Sequence, residues 1–124
     1  MEKLTASLED YLETIWINTE TSQKIRPIDV SKIMNVSRAS VTEALNKLSK
    51  KGYIRNEKYQ TITLTEQGEE IAKKIVSKHR TLQHFFEKIL NLSTEESTEN
   101  ACKIEHVITD NAFKQILEFV EKNT

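Results

Sequence analysis

The sequence contains very little glycine, proline and cysteine. Its 124 residues include two Gly, one Pro and one Cys. Because Gly and Pro both interrupt helices, their scarcity favours a mostly helical chain with few tight turns. A single Cys excludes an internal disulfide, and we therefore expect a reducing, cytoplasmic location.

The sequence also lacks a long apolar run. No segment approaches the ~18–20 apolar residues that span a bilayer, and no signal peptide opens the chain, so we predict no membrane association. Apolar residues make up 37% of the chain. That fraction is enough for a modest core but thin for an independent monomer, and an oligomer that buries further apolar surface is expected.

Charge is distributed unevenly along the chain, although the whole chain has a net charge of only −1. Residues 1–25 carry a net charge of −3, residues 26–65 a net charge of +5, and residues 66–124 a net charge of −3. A basic middle segment between acidic ones indicates a module that faces a polyanion such as DNA.

The spacing of apolar residues predicts a winged helix in the first half of the chain. A first helix over about residues 6–20, with Ser7 as a possible N-cap, precedes a helix-turn-helix over residues 29–48. The pattern then changes to β-prone residues at 53–55 and 62–64, which predicts a two-stranded wing. Three helices and a wing form a winged helix-turn-helix domain.

The second half of the chain is predicted to be all helical. A long helix capped by Thr65 reaches to about Leu90, a shorter helix covers about 95–107, and a last helix begins at the cap Thr109. The predicted fold is therefore mostly α, with an N-terminal winged helix-turn-helix over 1–65 and an all-helical domain over 66–124.

The second helix of the helix-turn-helix presents a polar face suited to DNA. Small side chains near its N-terminus allow it to enter a major groove about 12 Å wide. Arg38 could read a base or bind phosphate, and Glu43 could accept from a cytosine amino group or face solvent. The predicted DNA-facing residues are Ser37, Arg38, Ala39, Ser40, Thr42, Glu43, Asn46 and Lys47, with Lys58 and Tyr59 at the wing tip. The alternative is a protein-interaction domain with a solvated basic face.

Six candidate metal donors occur on three predicted helices. A thiol, a carboxylate and an imidazole at i, i+3 and i+4 would share one helix face, as would a pair of carboxylates three residues apart. Each donor also has a structural explanation, such as an exposed acidic face or a buried thiol, so both interpretations stay open here. The donors are Asp10 and Glu13 on the first helix, His79 on the long helix, and Cys102, Glu105 and His106 on the next.

Over nearly its whole length the chain resembles the metal-dependent transcriptional repressors of the DtxR/MntR family. The matching motifs are Asp10-Tyr11-Leu12-Glu13, Lys78-His79-Arg80 and Cys102-x-x-Glu105-His106-Val107, arranged in that order around a winged helix. The resemblance implies that the six donors hold an ion between the first helix and a helical dimerisation domain. It further implies a homodimer that binds a palindromic operator on double-stranded DNA.

The implied function is that of a repressor in which Fe²⁺ or Mn²⁺ promotes operator binding and controls metal homeostasis genes. Iron-responsive members of the family resemble this chain at Cys102 but typically carry Met in place of Asp10. Manganese-responsive members share Asp10 and Glu13 but usually carry Glu in place of Cys102. Thiolate disfavours Mn²⁺ while three carboxylates suit both ions, so Fe²⁺ fits best, and Zn²⁺ or Co²⁺ could bind in vitro.

Because donors are expected on both sides of the domain junction, we hypothesise an electrostatic mechanism. Without metal, Asp10 and Glu13 repel the acidic dimerisation domain; with metal, the recognition helices are fixed to meet half-sites about 34–36 Å apart. The alternative is a metal-independent winged-helix regulator, for which Glu105→Ala or His106→Ala would leave DNA binding intact. An enzyme is not expected, because the sequence offers no separate general base or substrate pocket.

Overall fold

A computed structural model describes residues 4–20, 24–56 and 61–123 of the chain. The described residues form six α-helices and two short strands. In chain order these are α1 (Ala6–Glu20), α2 (Pro27–Met34), α3 (Arg38–Lys50), β1 (Ile54–Asn56), β2 (Ile62–Leu64), α4 (Glu66–His84), α5 (Thr94–Ile104) and α6 (Asp110–Lys122), with a π-helical segment, Phe85–Ile89, directly after α4. The predicted fold, a winged helix-turn-helix followed by a helical domain, is confirmed.

The chain divides into two compact units, Met1–Lys73 and Lys74–Thr124. The division falls within α4, so the first two turns of that helix belong to the winged-helix unit. The predicted boundary after residue 65 lies at the start of the same helix.

The first unit has an apolar core to which every helix and both strands contribute. The buried face of α3 consists of Val41, Ala44, Leu45 and Leu48, spaced three and four residues apart as an amphipathic helix requires. The strands β1 and β2 pair antiparallel, with Ile54 opposite Leu64. The remaining buried apolar residues of this unit are Leu4, Leu8, Tyr11, Leu12, Ile15, Ile25, Val30, Ile54, Ile62 and Ala72.

Polar residues fix the helix boundaries of the first unit. Ser37 caps α3, because its hydroxyl accepts a hydrogen bond from the Ser40 amide at 3.0 Å. The predicted cap at Ser7 is wrong: the hydroxyl of Thr5 accepts from the Leu8 amide at 3.2 Å, and α1 has already begun at Ala6. The free amides of the first helical turn need an acceptor that precedes the helix. Thr5 supplies one, whereas Ser7 already lies within the first turn.

Thr65 joins the wing to α4. Its hydroxyl accepts from the Gly68 amide at 3.1 Å and donates to the carbonyl oxygen of Gly52 at 2.6 Å. Its own amide donates to the carbonyl oxygen of Tyr53 at 3.0 Å. Gly68 lies so close to Tyr53, the residue before β1, that a Cβ built on it would overlap the Tyr53 carbonyl. Glycine has a low helix propensity, but packing against Tyr53 leaves no room for a side chain at this position.

The second unit buries little apolar surface of its own. Its buried apolar residues are Ile75, Val76, Leu82, Ala101 and Val120. By contrast, Leu90 and Phe119 are each 49% exposed and Val107 is 74% exposed. The second unit therefore keeps several large apolar side chains at its surface.

Two helices of the second unit differ from their predicted extents. The long helix stops being α-helical at His84 and continues through Leu90 with wider turns, since the Leu90 amide donates to the Phe85 carbonyl at 3.1 Å. The next helix is shorter than predicted and ends at Ile104, whose carbonyl accepts from both Val107 and Ile108 and so closes a turn. The predicted cap Thr109 is observed at the start of α6.

We predict that Gly68→Ala destabilises the winged-helix unit although alanine favours helices. Overpacking against the Tyr53 backbone should lower the free energy of unfolding by about 1–3 kcal/mol, which exceeds the ~1 kcal/mol gain in helix propensity. Chemical denaturation followed by circular dichroism measures the change. Gln67→Ala, at the exposed neighbouring position, is the control, and a Gly68→Ala protein as stable as that control would contradict the close approach.

Candidate metal centre and DNA-facing helix

Three different metal-ligating side chains converge in the second unit. His79 projects from α4, Cys102 from the last turn of α5, and Glu105 is the C-cap residue directly after α5. One ligand atom from each of them lies within 4.8 Å of the other two. The Nδ1 atom of His79 lies 2.7 Å from Oε1 of Glu105 and 3.9 Å from Sγ of Cys102.

The local fold places Cys102 and Glu105 on the same side of α5. Ser93 caps the start of α5 by accepting from the Glu96 amide at 3.1 Å. At the other end the Glu105 amide still bonds to the Ala101 carbonyl at 3.0 Å, so Glu105 continues the helical path. Residues three apart on such a path are neighbours, which brings both side chains to His79.

Glu105 is the buried member of this cluster. Its side chain is 1% exposed, that of His79 is 16% exposed, and Cys102 lies at the surface. The Oε1 atom pairs with His79, but the buried Oε2 atom has no hydrogen-bond partner among the described residues. A buried carboxylate oxygen without a donor is costly, and a cation would satisfy it.

The donor set fits a divalent transition-metal ion. Imidazole nitrogen, carboxylate oxygen and thiolate sulfur are all ligands of Fe²⁺, Zn²⁺ and Co²⁺, and the orphaned oxygen of Glu105 supplies a further acceptor. Only three of the six predicted donors are in this cluster. His106 is half-buried in the turn after α5 and is not a member. Asp10 and Glu13 are half-exposed on α1, in the first unit.

The exposed face of α3 carries the residues predicted to face DNA. Thr42 donates its hydroxyl to the Arg38 carbonyl at 3.0 Å, and Lys47 forms an ion pair with Glu43 at 3.2 Å. These local bonds hold polar side chains along the exposed face of α3. The exposed residues are Ser37, Arg38, Ala39, Ser40, Thr42, Glu43, Asn46 and Lys47. Lys58 and Tyr59 lie outside the described residues.

A groove of about 500 Å³ separates the N-terminal part of α1 from α3. Tyr11 lines it together with Ser40, Glu43 and Lys47 of the DNA-facing helix. Burial raises the pKa of Tyr11 and the Glu43 carboxylate raises it further, so the phenol is uncharged at neutral pH. Tyr11 follows Asp10 in the chain, and the sequence pattern alone gave no indication that it reaches the DNA-facing helix.

Two family models match nearly the whole chain. Residues 3–62 match the N-terminal DNA binding domain of iron dependent repressors, and residues 65–124 match their metal binding and dimerisation domain. The chain belongs to the iron dependent repressor family. Its members are transcriptional repressors, which are not enzymes, and the metal-dependent interpretation is supported over the metal-independent one.

Relatives and solved structures agree with this assignment. An uncharacterized HTH-type transcriptional regulator of Methanocaldococcus jannaschii is 38% identical over 120 residues, covering 96% of each chain. The HTH-type transcriptional regulator MntR of Bacillus subtilis is 32% identical over 94% of this chain and 82% of its own length. A manganese-dependent transcriptional repressor, solved in complex with manganese, superposes with a TM-score of 0.83 at 28% identity over 92% of this chain.

This chain spans only 52% of that solved repressor. This chain itself matches both the DNA-binding domain and the metal-binding and dimerisation domain of the family. Among the described residues no helix is both long and apolar enough to cross a membrane.

We predict that His79→Ala destabilises the metal-free protein, because it leaves the buried Glu105 carboxylate without its 2.7 Å partner. The free energy of unfolding in the presence of a chelator should fall by about 1.5–3 kcal/mol, the usual cost of losing a hydrogen bond to a charged group. His84→Ala removes an imidazole from the same helix outside the cluster, and should cost less than about 1 kcal/mol. Equal losses in the two variants would show that the pair does not stabilise the fold.

Proposed function

We propose that this chain is a homodimeric repressor whose operator binding is switched on by Fe²⁺ or Mn²⁺. The observation that carries the proposal is the convergence of His79, Cys102 and Glu105, with an orphaned carboxylate oxygen, in a chain that also carries a DNA-facing α3. A regulator of this kind would control metal homeostasis genes, since its activity follows the concentration of the ion.

Six side chains hold the ion in this proposal. His79, Cys102 and Glu105 form the cluster, and the resemblance extends the set to Asp10, Glu13 and His106. The ion supplies positive charge that offsets the carboxylates. The carboxylates of Asp10 and Glu13 bring negative charge to α1, where they repel other acidic groups as long as no cation is present. Binding of the ion would therefore remove this repulsion and stabilise α1.

The thiol of Cys102 governs the choice of metal. Thiolate is a soft ligand that suits Fe²⁺, Co²⁺ and Zn²⁺ better than Mn²⁺, whereas carboxylates suit Fe²⁺ and Mn²⁺. Fe²⁺ satisfies both preferences, and we infer that it is the physiological ion. Zn²⁺ and Co²⁺ should bind in vitro because imidazole and thiolate accept them.

The DNA-binding unit reads a palindromic operator through two copies of α3. Arg38 near the N-terminus of α3 reaches a base edge or phosphate, and Lys47 further along contacts the backbone. Lys58 and Tyr59 contact phosphate or the minor groove from the wing. The exposed apolar residues of the second unit, Phe119 among them, are covered in the homodimer.

We infer that the chain itself has no catalytic activity. A fully coordinated ion leaves no open position for a substrate, and binding to operator DNA requires none. Because a repressor acts on the chromosome, we place the protein in the cytoplasm.

The proposal is tested by measuring DNA affinity against metal concentration. The probe is a duplex selected from a random pool by the metal-loaded protein, and binding is followed by fluorescence anisotropy with Fe²⁺, Mn²⁺, Zn²⁺ or chelator. We expect a gain of about 5–150-fold in affinity with Fe²⁺ or Mn²⁺, the usual range of coupling between two sites. In Glu105→Ala the gain should disappear, because the buried member of the donor set is lost.

Glu99→Ala provides the matched control, because Glu99 is an exposed glutamate of the same helix that pairs only with a neighbouring lysine in the described structure. It should keep the full metal response. Equal DNA affinities of the wild-type chain with metal and with chelator would reject the switch and favour the metal-independent regulator.

A further inference from the structure

Trp16 and Lys73 make a contact that no metal-site or DNA-binding role accounts for. The ammonium of Lys73 on α4 lies 5.3 Å from the centre of the Trp16 ring on α1. A cation at this distance from an indole face is attracted by the negative potential of the ring. Both residues belong to the first unit, so the contact joins α1 to the base of α4.

The side chain of Lys73 is held at two points. Its ammonium lies 4.0 Å from the Glu69 carboxylate one turn earlier on α4, in addition to its place over Trp16. This arrangement keeps the long side chain against the ring although it is 60% exposed. Held in this way, the Lys73 ammonium makes an oriented contact with the Trp16 ring of α1.

Trp16 is placed where it can govern the orientation of the α1 carboxylates. Glu13 and Trp16 are three residues apart, and Asp10 is three residues before Glu13, so the three follow one another along the helix. On the opposite face of α1, buried Leu12 and Ile15 set which side of the helix meets the core. The contact with Lys73 adds a tie beside the face that carries Asp10 and Glu13, where it limits the small rotations that core packing still allows.

We propose that Trp16 and Lys73 are positioning residues that orient α1 for metal binding before the ion arrives. This inference rests on the proposed role of Asp10 and Glu13 as ligands. A helix that must first turn into the binding orientation binds more weakly, in proportion to the fraction of molecules already oriented. The contact raises that fraction and so raises the affinity for metal without touching the ion.

The test is the Mn²⁺ dissociation constant of the full chain, measured by competition with a chromophoric chelator. Lys73→Ala should raise the constant about two- to fivefold, the amount that an exposed cation–π contact can contribute. Lys73→Arg should restore the wild-type value, because guanidinium also stacks on indole. Lys74→Ala is the matched control, since it removes the same charge from the next exposed position, and it should leave the constant unchanged.

Trp16 is the only tryptophan of the chain, so its fluorescence reports the contact directly. The metal-free emission spectrum should shift in Lys73→Ala and not in Lys74→Ala. In a Trp16→Leu background, Lys73→Ala should have no further effect on Mn²⁺ affinity. Equal effects of the two lysine variants, or an unchanged constant in Lys73→Ala, would overturn the positioning role.

Asp10→Asn separates this inference from the proposed function. If Asp10→Asn weakens Mn²⁺ binding more than about tenfold while Lys73→Ala has no effect, the ligand role stands and only the positioning role is rejected. If Asp10→Asn leaves Mn²⁺ affinity unchanged, the ligand role fails and the positioning role fails with it.

Discussion

The buried pairing of Glu105 with His79 is the interaction on which the candidate site depends. A carboxylate that is 1% exposed has to be compensated, and the imidazole 2.7 Å from its Oε1 atom does so on one side only. The second oxygen remains without a partner among the described residues. The second unit therefore folds with one buried carboxylate oxygen that accepts no hydrogen bond from the described residues. This is expected of a site that gains stability from a cation.

The second unit also has a thin apolar core. Two polar residues, Ser97 and Glu105, are buried in this unit, while side chains such as Phe119 and Val107 stay exposed. A domain built in this way gains stability from an ion and from a second copy, the two roles named for this domain in its family. The first unit has a fuller apolar core.

Local chemistry explains which features the sequence predicted. The caps Ser37, Thr65 and Thr109 act on amides three residues away, so they could be identified from spacing. His79 and Glu105 are 26 residues apart in the chain, so helix periodicity and capping rules, which act over a few residues, could not predict their pairing. The close approach at Gly68 and the π-helical turns after His84 likewise depend on tertiary packing. The resemblance to a family, rather than periodicity, brought the distant donors together.

The central claim is that one ion and one DNA duplex stabilise the same conformation of this chain. Coupling between two sites is reciprocal, so the factor by which metal raises DNA affinity must equal the factor by which DNA raises metal affinity. The most direct measurement is therefore the Fe²⁺ or Mn²⁺ dissociation constant with and without the selected duplex. The account predicts tighter metal binding by about 5–150-fold in the presence of DNA. A constant that DNA does not change would contradict it.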